Sequence, residues 1–180
     1  NSPLKNKKLG VGLHIVSDKI GPSNLNQYVG SFAYRIRMGQ GKLSFGLRAA
    51  LYDYRYDWSK MDYKDKADVF SSQQQTRILK PNFDFGLYYY NTTFYAGITA
   101  THLNSGKKQN TKQLTDFNTR LTPHLIGNVG KAFEINNLIT FRPSAVLRYT
   151  QNAPLSADAN ASVLLDEKIW LGIGLRSNQE

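Results

Sequence analysis

Leu43-Ser44-Phe45-Gly46-Leu47-Arg48-Ala49-Ala50 is the stretch that decides the fold. Large apolar side chains fall on Leu43, Phe45 and Leu47, with Ser44, Gly46 and Arg48 between them. Successive strand side chains point to opposite faces, so apolar residues at every second position mark a strand with one apolar face. Arg48 sits on the opposite face. A soluble sandwich hides its apolar face inside, whereas a transmembrane barrel shows that face to lipid and keeps a polar lumen.

The same alternation runs outward in both directions. Upstream, Leu9, Val11, Leu13 and Ile15 alternate with Gly10, Gly12, His14 and Val16, and Tyr28, Phe32, Tyr34 and Ile36 oppose Gln27, Ser31, Arg35 and Arg37. Downstream, Phe83, Phe85 and Leu87 oppose Asp84, Gly86 and Tyr88. Later, Ile139, Phe141, Ala145, Leu147 and Tyr149 oppose Thr140, Arg142, Ser144 and Arg148. Ala157, Ala159, Ala161 and Val163 oppose Asp158, Asn160 and Ser162; Ile169, Leu171, Ile173 and Leu175 oppose Trp170, Gly172, Gly174 and Arg176. The periodicity predicts nine strands, at 8–18, 26–37, 42–56, 80–90, 93–103, 122–133, 138–150, 154–165 and 168–177. A slip of one residue would put Arg142 and Arg148 into lipid, costing roughly 2–4 kcal/mol each near the midplane.

The connections give an independent check. Met38 to Gly41, Asn91-Thr92, Glu134 to Asn137 and Asp166-Glu167 read as tight turns. Between them lie Lys19 to Leu25, Trp58 to Leu79, Leu103 to Leu121 and Gln151 to Ala153, three of which read as long. Alternating short turns and long loops belong to an all-β, antiparallel up-and-down transmembrane β-barrel. Two places strain the pattern. After Leu51 the aromatics move to Tyr52, Tyr54, Tyr56 and Trp58, which predicts a bulge or a strand leaving the bilayer, and Pro143 predicts a bulge or distortion.

Composition is compatible with this reading. The 180 residues suit one domain, and a mean hydropathy of −0.46 fits strands with one wet face. No stretch approaches the roughly 20 apolar residues of a membrane helix. Eleven Tyr and nine Phe suit interfacial girdles. The absence of Cys excludes a disulfide framework and thiol chemistry. The net charge of +10 is spread over many segments with no nucleic-acid-binding motif, so no nucleic-acid partner is expected. Asn1 to Lys8 has no apolar signal-peptide core. Nine strands is an odd count, no terminal aromatic closes the chain, and an open edge is costly in lipid. Residues 1–180 are therefore expected to be part of a single outer-membrane barrel domain lacking its N- and C-terminal strands.

Several blocks resemble the PorP/SprF family. They are Ser2-Pro3-Leu4, Asn6 to Leu13, Asp18 to Pro22 with Asn24, Tyr34-Arg35-Ile36 and Gly41 to Leu47. They continue with Pro81-Asn82-Phe83, Gly86 to Tyr90, Phe94 to Gly97, Pro143-Ser144, Ala153-Pro154-Leu155, Asp158, Asn160, Trp170-Leu171-Gly172 and Arg176-Ser177. The resemblance implies a non-enzymatic outer-membrane barrel of the type IX secretion and gliding machinery of Bacteroidota. It implies as partners the C-terminal domain of a secreted adhesin or other cargo, further machinery components, and outer-membrane lipid. No cofactor is implied. The Gln-rich Phe70 to Gln75 and Lys/Asn-rich Gly106 to Lys112 stretches depart from the family pattern and leave the cargo undefined.

Two residue sets are candidate binding sites. Arg35, Arg37, Arg48, Arg142, Arg148 and Arg176 are placed in the lumen. They either pair with Asp84, Asp158 and tyrosine hydroxyls, which is the plainer reading, or form an electropositive interior for acidic cargo or anions. Tyr52, Tyr54, Tyr56 and Trp58 form either an interfacial girdle, the plainer reading again, or a docking surface on an outer hairpin. His14, His102 and His124 lack the neighbours of a hydrolase triad or metal motif, so no catalytic or metal site is expected. The leading expectation is a cargo-binding barrel without chemistry. The alternative is an anion-preferring diffusion porin, and a lipid-modifying enzyme comes last.

Overall fold

The computed structural model describes residues 2–3, 8–60, 75–104 and 122–177. The strands are β1 (Ser2–Pro3), β2 (Leu9–Ile20), β3 (Ser23–Met38), β4 (Gly41–Asp57), β5 (Gln75–Tyr90), β6 (Phe94–Thr101), β7 (His124–Lys131), β8 (Phe133–Asn136), β9 (Ile139–Thr150), β10 (Ser156–Leu165) and β11 (Ile169–Arg176). A single 3-10 turn follows β4 at Trp58–Lys60. All make one antiparallel sheet in chain order, β7 and β8 sharing β9 as a neighbour. This is the up-and-down topology of a transmembrane β-barrel, open between β1 and β11 among the described residues.

Register carries the alternation unbroken from strand to strand. One row runs Val11, Phe32, Leu47, Phe85, Ala100, Leu125, Tyr149, each residue facing the next across the ladder. The other side of the sheet reads Gly12, Ser31, Arg48, Asp84 at a matching level. Among the described residues there is no second layer, yet the two faces differ sharply in exposure. Val29, Ala50 and Asn82 form one row on the polar face and are 0%, 6% and 1% exposed. Tyr28, Leu51 and Phe83, on the other face, are 43%, 39% and 44% exposed. Side chains crowd together on the concave side of a curved sheet and splay apart on the convex side. The polar face is therefore the inner wall. The convex apolar face is too continuous to stand in water and belongs in lipid.

Glycines let tyrosines lie flat on the inner wall. A Cβ at Gly130 would stand 2.5 Å from the Tyr95 ring, and one at Gly97 would stand 2.7 Å from the Tyr88 ring. Only a residue with no side chain leaves room for an aromatic ring directly against the backbone.

The structure corrects four expectations about the elements. Lys19 to Leu25 is not a long loop. β2 and β3 stay paired to Ile20 and Ser23, and only Gly21-Pro22 turns, with Gly21 at φ +54°. β4 has no bulge after Leu51, because its register with β3 and β5 runs unshifted to its end. Pro143 does not distort β9, whose ladder to β10 passes through Pro143 and Ala161 without a shift. The interruption falls instead on the facing strand, at Ala132 between β7 and β8, and Ala132 gives its N–H to the Thr93 carbonyl at 2.6 Å. Glu134 is in β8 rather than a turn; the bulge lies between Glu134 and Asn136, and Asn137-Leu138 makes the reversal. Ser2–Pro3 adds a short strand that periodicity did not find. Most of the two long connections, 61–74 and 105–121, lies outside the described residues, including nearly all of both stretches that depart from the family pattern.

Candidate functional site: the inner wall

The inner wall carries all six candidate arginines, and they are not equivalent. Arg48 on β4 faces Asp84 on β5, directly opposite in the ladder. Its Nε lies 3.2 Å from Asp84 Oδ2, close enough for an ion pair though out of line for a hydrogen bond, and its Nη2 donates to the Tyr52 hydroxyl at 3.2 Å. Asp84 Oδ1 also accepts from Asn82 Nδ2 and from the His102 backbone N–H, both at 2.9 Å. Asp158 on β10 takes two arginines. Arg148 from β9 reaches Oδ2 at 2.5 Å, and Arg176 from β11 bonds Oδ1 through Nε at 2.8 Å. A buried carboxylate without such partners would cost several kcal/mol, so these pairs satisfy the wall as well as neutralise it.

Arg142 has a different partner. Its guanidinium lies over the Trp170 ring at 4.6 Å, a cation–π contact across the sheet. The Arg35 and Arg37 side chains make no ion pair or hydrogen bond among the described residues. Three of the six arginines thus have carboxylate partners, one stacks on an aromatic ring, and two are left with their charge unbalanced.

Tyr52, Tyr54 and Tyr56 project from β4 on the same side as Arg48, which is the inner side. A girdle must face lipid, so the girdle reading is corrected. Outward aromatics come instead from Tyr28, Tyr34, Phe45, Tyr89, Phe94 and Tyr149, with Tyr89 and Phe94 packed 6.2 Å apart. The β4 tyrosines form a small core on the inner wall. Tyr52 is buried with Val29 and Ala50, with Leu25 and Tyr54 against them. Trp58, also buried, stacks on Tyr56 at 5.8 Å and donates to Thr76 Oγ1 at 2.9 Å.

The reason for this inward turn lies on the outer face. Up to the row Ile15, Tyr28, Leu51, Pro81 that face is apolar. The next row is Ser17, Asn26, Asp53, Leu79, and the one beyond is Lys19, Asn24, Arg55, Arg77. Polarity therefore inverts across one row. Above it the outside is charged and the inside aromatic, as a sheet in water requires. Asp53 is covered by its own partners, with Arg77 Nε at 2.8 Å from Oδ1 and Arg55 Nη2 at 2.7 Å from Oδ2. The hydrogen bonds from Arg77, then Arg55, hold its carboxyl at about 2 against the opposing effect of burial.

His102 and His124 lie side by side where β6 ends and β7 begins. His102 Nδ1 lies 3.0 Å from Asn82 Oδ1, His124 Nδ1 lies 2.5 Å from Thr150 Oγ1, and the two rings meet edge to face at 5.7 Å. His14, on β2, faces Val29 across the ladder and is separated from both by β3, β4 and β5.

An all-antiparallel sheet with a lipid-facing exterior and an ion-paired inner wall defines a membrane β-barrel protein. The model of the family described as Type IX secretion system membrane protein PorP/SprF matches residues 1–180, and the chain belongs to that family. Nothing among curated proteins, and nothing among solved structures, matches the chain.

Proposed function

We propose that this protein is an outer-membrane component of the type IX secretion and gliding machinery that binds secreted surface cargo, such as the C-terminal domain of an adhesin. It does so by protein recognition, without chemistry. The family match along the whole chain is the observation that carries this reading. The inner wall supports it, because its charged and aromatic side chains suit contact with a polypeptide better than bond-making. The two long connections, after β4 and after β6, share one end of the sheet, while every connection at the other end is short, which supports an orientation with the short turns in the periplasm and the long loops outside.

The test is affinity purification of the full-length protein from outer membrane in mild detergent, with mass spectrometry of what accompanies it. Recovery of a large surface adhesin or of periplasmic machinery components is the expected result. A barrel that emerges alone and passes anions in planar bilayers would replace this reading with the porin.

A further inference from the structure

The geometry points to a docking site for an acidic polypeptide segment on the inner wall at the short-turn end of β3, β4, β5 and β6. It is built from Arg35, Arg37 and Lys42 beside Tyr88, Tyr90 and Tyr95. The site deepens the cargo-binding reading by assigning the chemistry of what binds and the end from which it enters.

The first observation is a like-charge pair. Arg37 on β3 directly faces Lys42 on β4, and Arg35 follows two residues along on the same face. Like charges directly opposite in a ladder are destabilising. Elsewhere the inner wall avoids this. Arg48 faces Asp84, and Arg148 and Arg176 share Asp158. At the short-turn end of β3 to β6 no described carboxylate lies on the inner face, and none of the three cations makes an ion pair among the described residues. The Arg35 guanidinium lies over Gly10 of β2, within 3.5 Å of where a Cβ would stand, so it rests on open backbone. A wall that gives Arg48, Arg148 and Arg176 carboxylate partners but leaves these three cations together keeps them at a cost to its own stability. An anionic partner removes that cost.

The second observation fixes what kind of anion. Tyr90 faces Lys42 across the ladder, and Tyr88 lies 5.8 Å from Tyr90 and 6.0 Å from Tyr95. These rings give a flat contact surface beside the cations, of the sort that polypeptides bury on binding. Arg35 and Arg37 stand two residues apart on one strand face, about 7 Å. That spacing matches alternate side chains of an extended chain. A small anion instead needs donors converging on a point, which these side chains do not offer. Lipid is excluded by position, since the site is on the face opposite to Phe45 and Tyr89.

The experiment measures binding of fluorescently labelled decaglutamate to the full-length protein in detergent micelles by anisotropy. Expected is binding that weakens at least tenfold between 0.05 and 0.5 M NaCl, and a further loss of tenfold or more in the Arg37→Glu/Lys42→Glu variant. Lys19→Glu, a single charge reversal on the outer face at the far end, should bind as the parent does. Decaglutamine should not bind. Lys42→Glu alone puts opposite charges across the ladder; it should melt no lower than the parent and still bind more weakly, so lost binding cannot be ascribed to unfolding. Absence of binding, equal loss with Lys19→Glu, or full displacement by millimolar inorganic phosphate would each overturn the proposal. So would a lowered melting point for Lys42→Glu with binding retained. The probe is synthetic, so decaglutamate binding alongside a pull-down empty of cargo would sink the cargo reading alone.

Discussion

At the residue scale, the inner wall depends on positions where a side chain is absent. Tyr88 and Tyr95 lie against Gly97 and Gly130, and any Cβ there would collide with a ring. Gly130→Val is expected to destabilise the fold by about 1–3 kcal/mol, the usual cost of overpacking. Combining it with Tyr95→Ala should recover part of that loss. Heat-induced mobility shift or thermal unfolding in micelles would check both. The opposite effect is available at the β10–β11 turn, where Asp166 and Glu167 both hold positive φ, 49° and 54°. Two-residue hairpins of that conformation favour Asn-Gly, so Glu167→Gly is expected to raise stability by about 1 kcal/mol. An unchanged or lower melting temperature would show that the turn is not strained.

At the scale of the element, β4 shows why some of the structure was legible in the sequence and some was not. From Leu43 to Leu51 the alternation gave the right faces, because lipid on one side and lumen on the other impose opposite demands on alternate residues. The same reasoning misread the residues around the Gly21-Pro22 turn as loop, since Asp18, Lys19, Asn24 and Asn26 are polar as loops are. Above the apolar belt, however, the outer face of a strand meets water and is polar for that reason. Tyr52, Tyr54 and Tyr56 were misread as a girdle for the complementary reason. Aromatic residues signal an interface only when they face out. The ion pairs Arg48–Asp84 and Arg148–Asp158 were foreseeable from phase alone, whereas the isolation of Arg35, Arg37 and Lys42 needed the register.

The polarity inversion gives this element two predictions. Leu47→Arg, on the outer face within the belt, should cost about 2–4 kcal/mol, as for an arginine near the bilayer midplane. An arginine at Leu79, in the row of Asp53, should cost far less, and refolding yields into vesicles would rank the two. The second concerns pH. The Asp53 carboxyl is held at about 2, below its ordinary value of 3.8. Its contribution is therefore present above pH 3.8 and lost as pH falls through about 2. Trp58 fluorescence in a Trp170→Phe background should stay constant down to about pH 4 and then shift red toward pH 2. In Asp53→Asn that acid transition should be absent.

At the scale of the molecule, an unbroken antiparallel ladder in chain order makes neighbours of strands adjacent in sequence. Charge compensation can therefore be local, and the three strands β9, β10 and β11 share one carboxylate, Asp158. Asp158→Ala would leave Arg148 and Arg176 without their shared carboxylate, and a lower melting temperature is expected. Arg176→Met together with Asp158→Ala should lose less than the sum of the single changes, which a double-mutant cycle would measure.

The charged rows above the belt also act as a height stop. The sheet cannot sink without drawing Asp53, Arg55 and Arg77 into hydrocarbon, and cannot rise without wetting Leu51 and Tyr28. Beyond the apolar belt β4 runs on from Tyr52 to Asp57, roughly 20 Å of strand at about 3.3 Å per residue. Braced by β3 and β5, it works as a mast. Whatever meets the end of β4 is met at a stand-off from the bilayer that this length of strand sets.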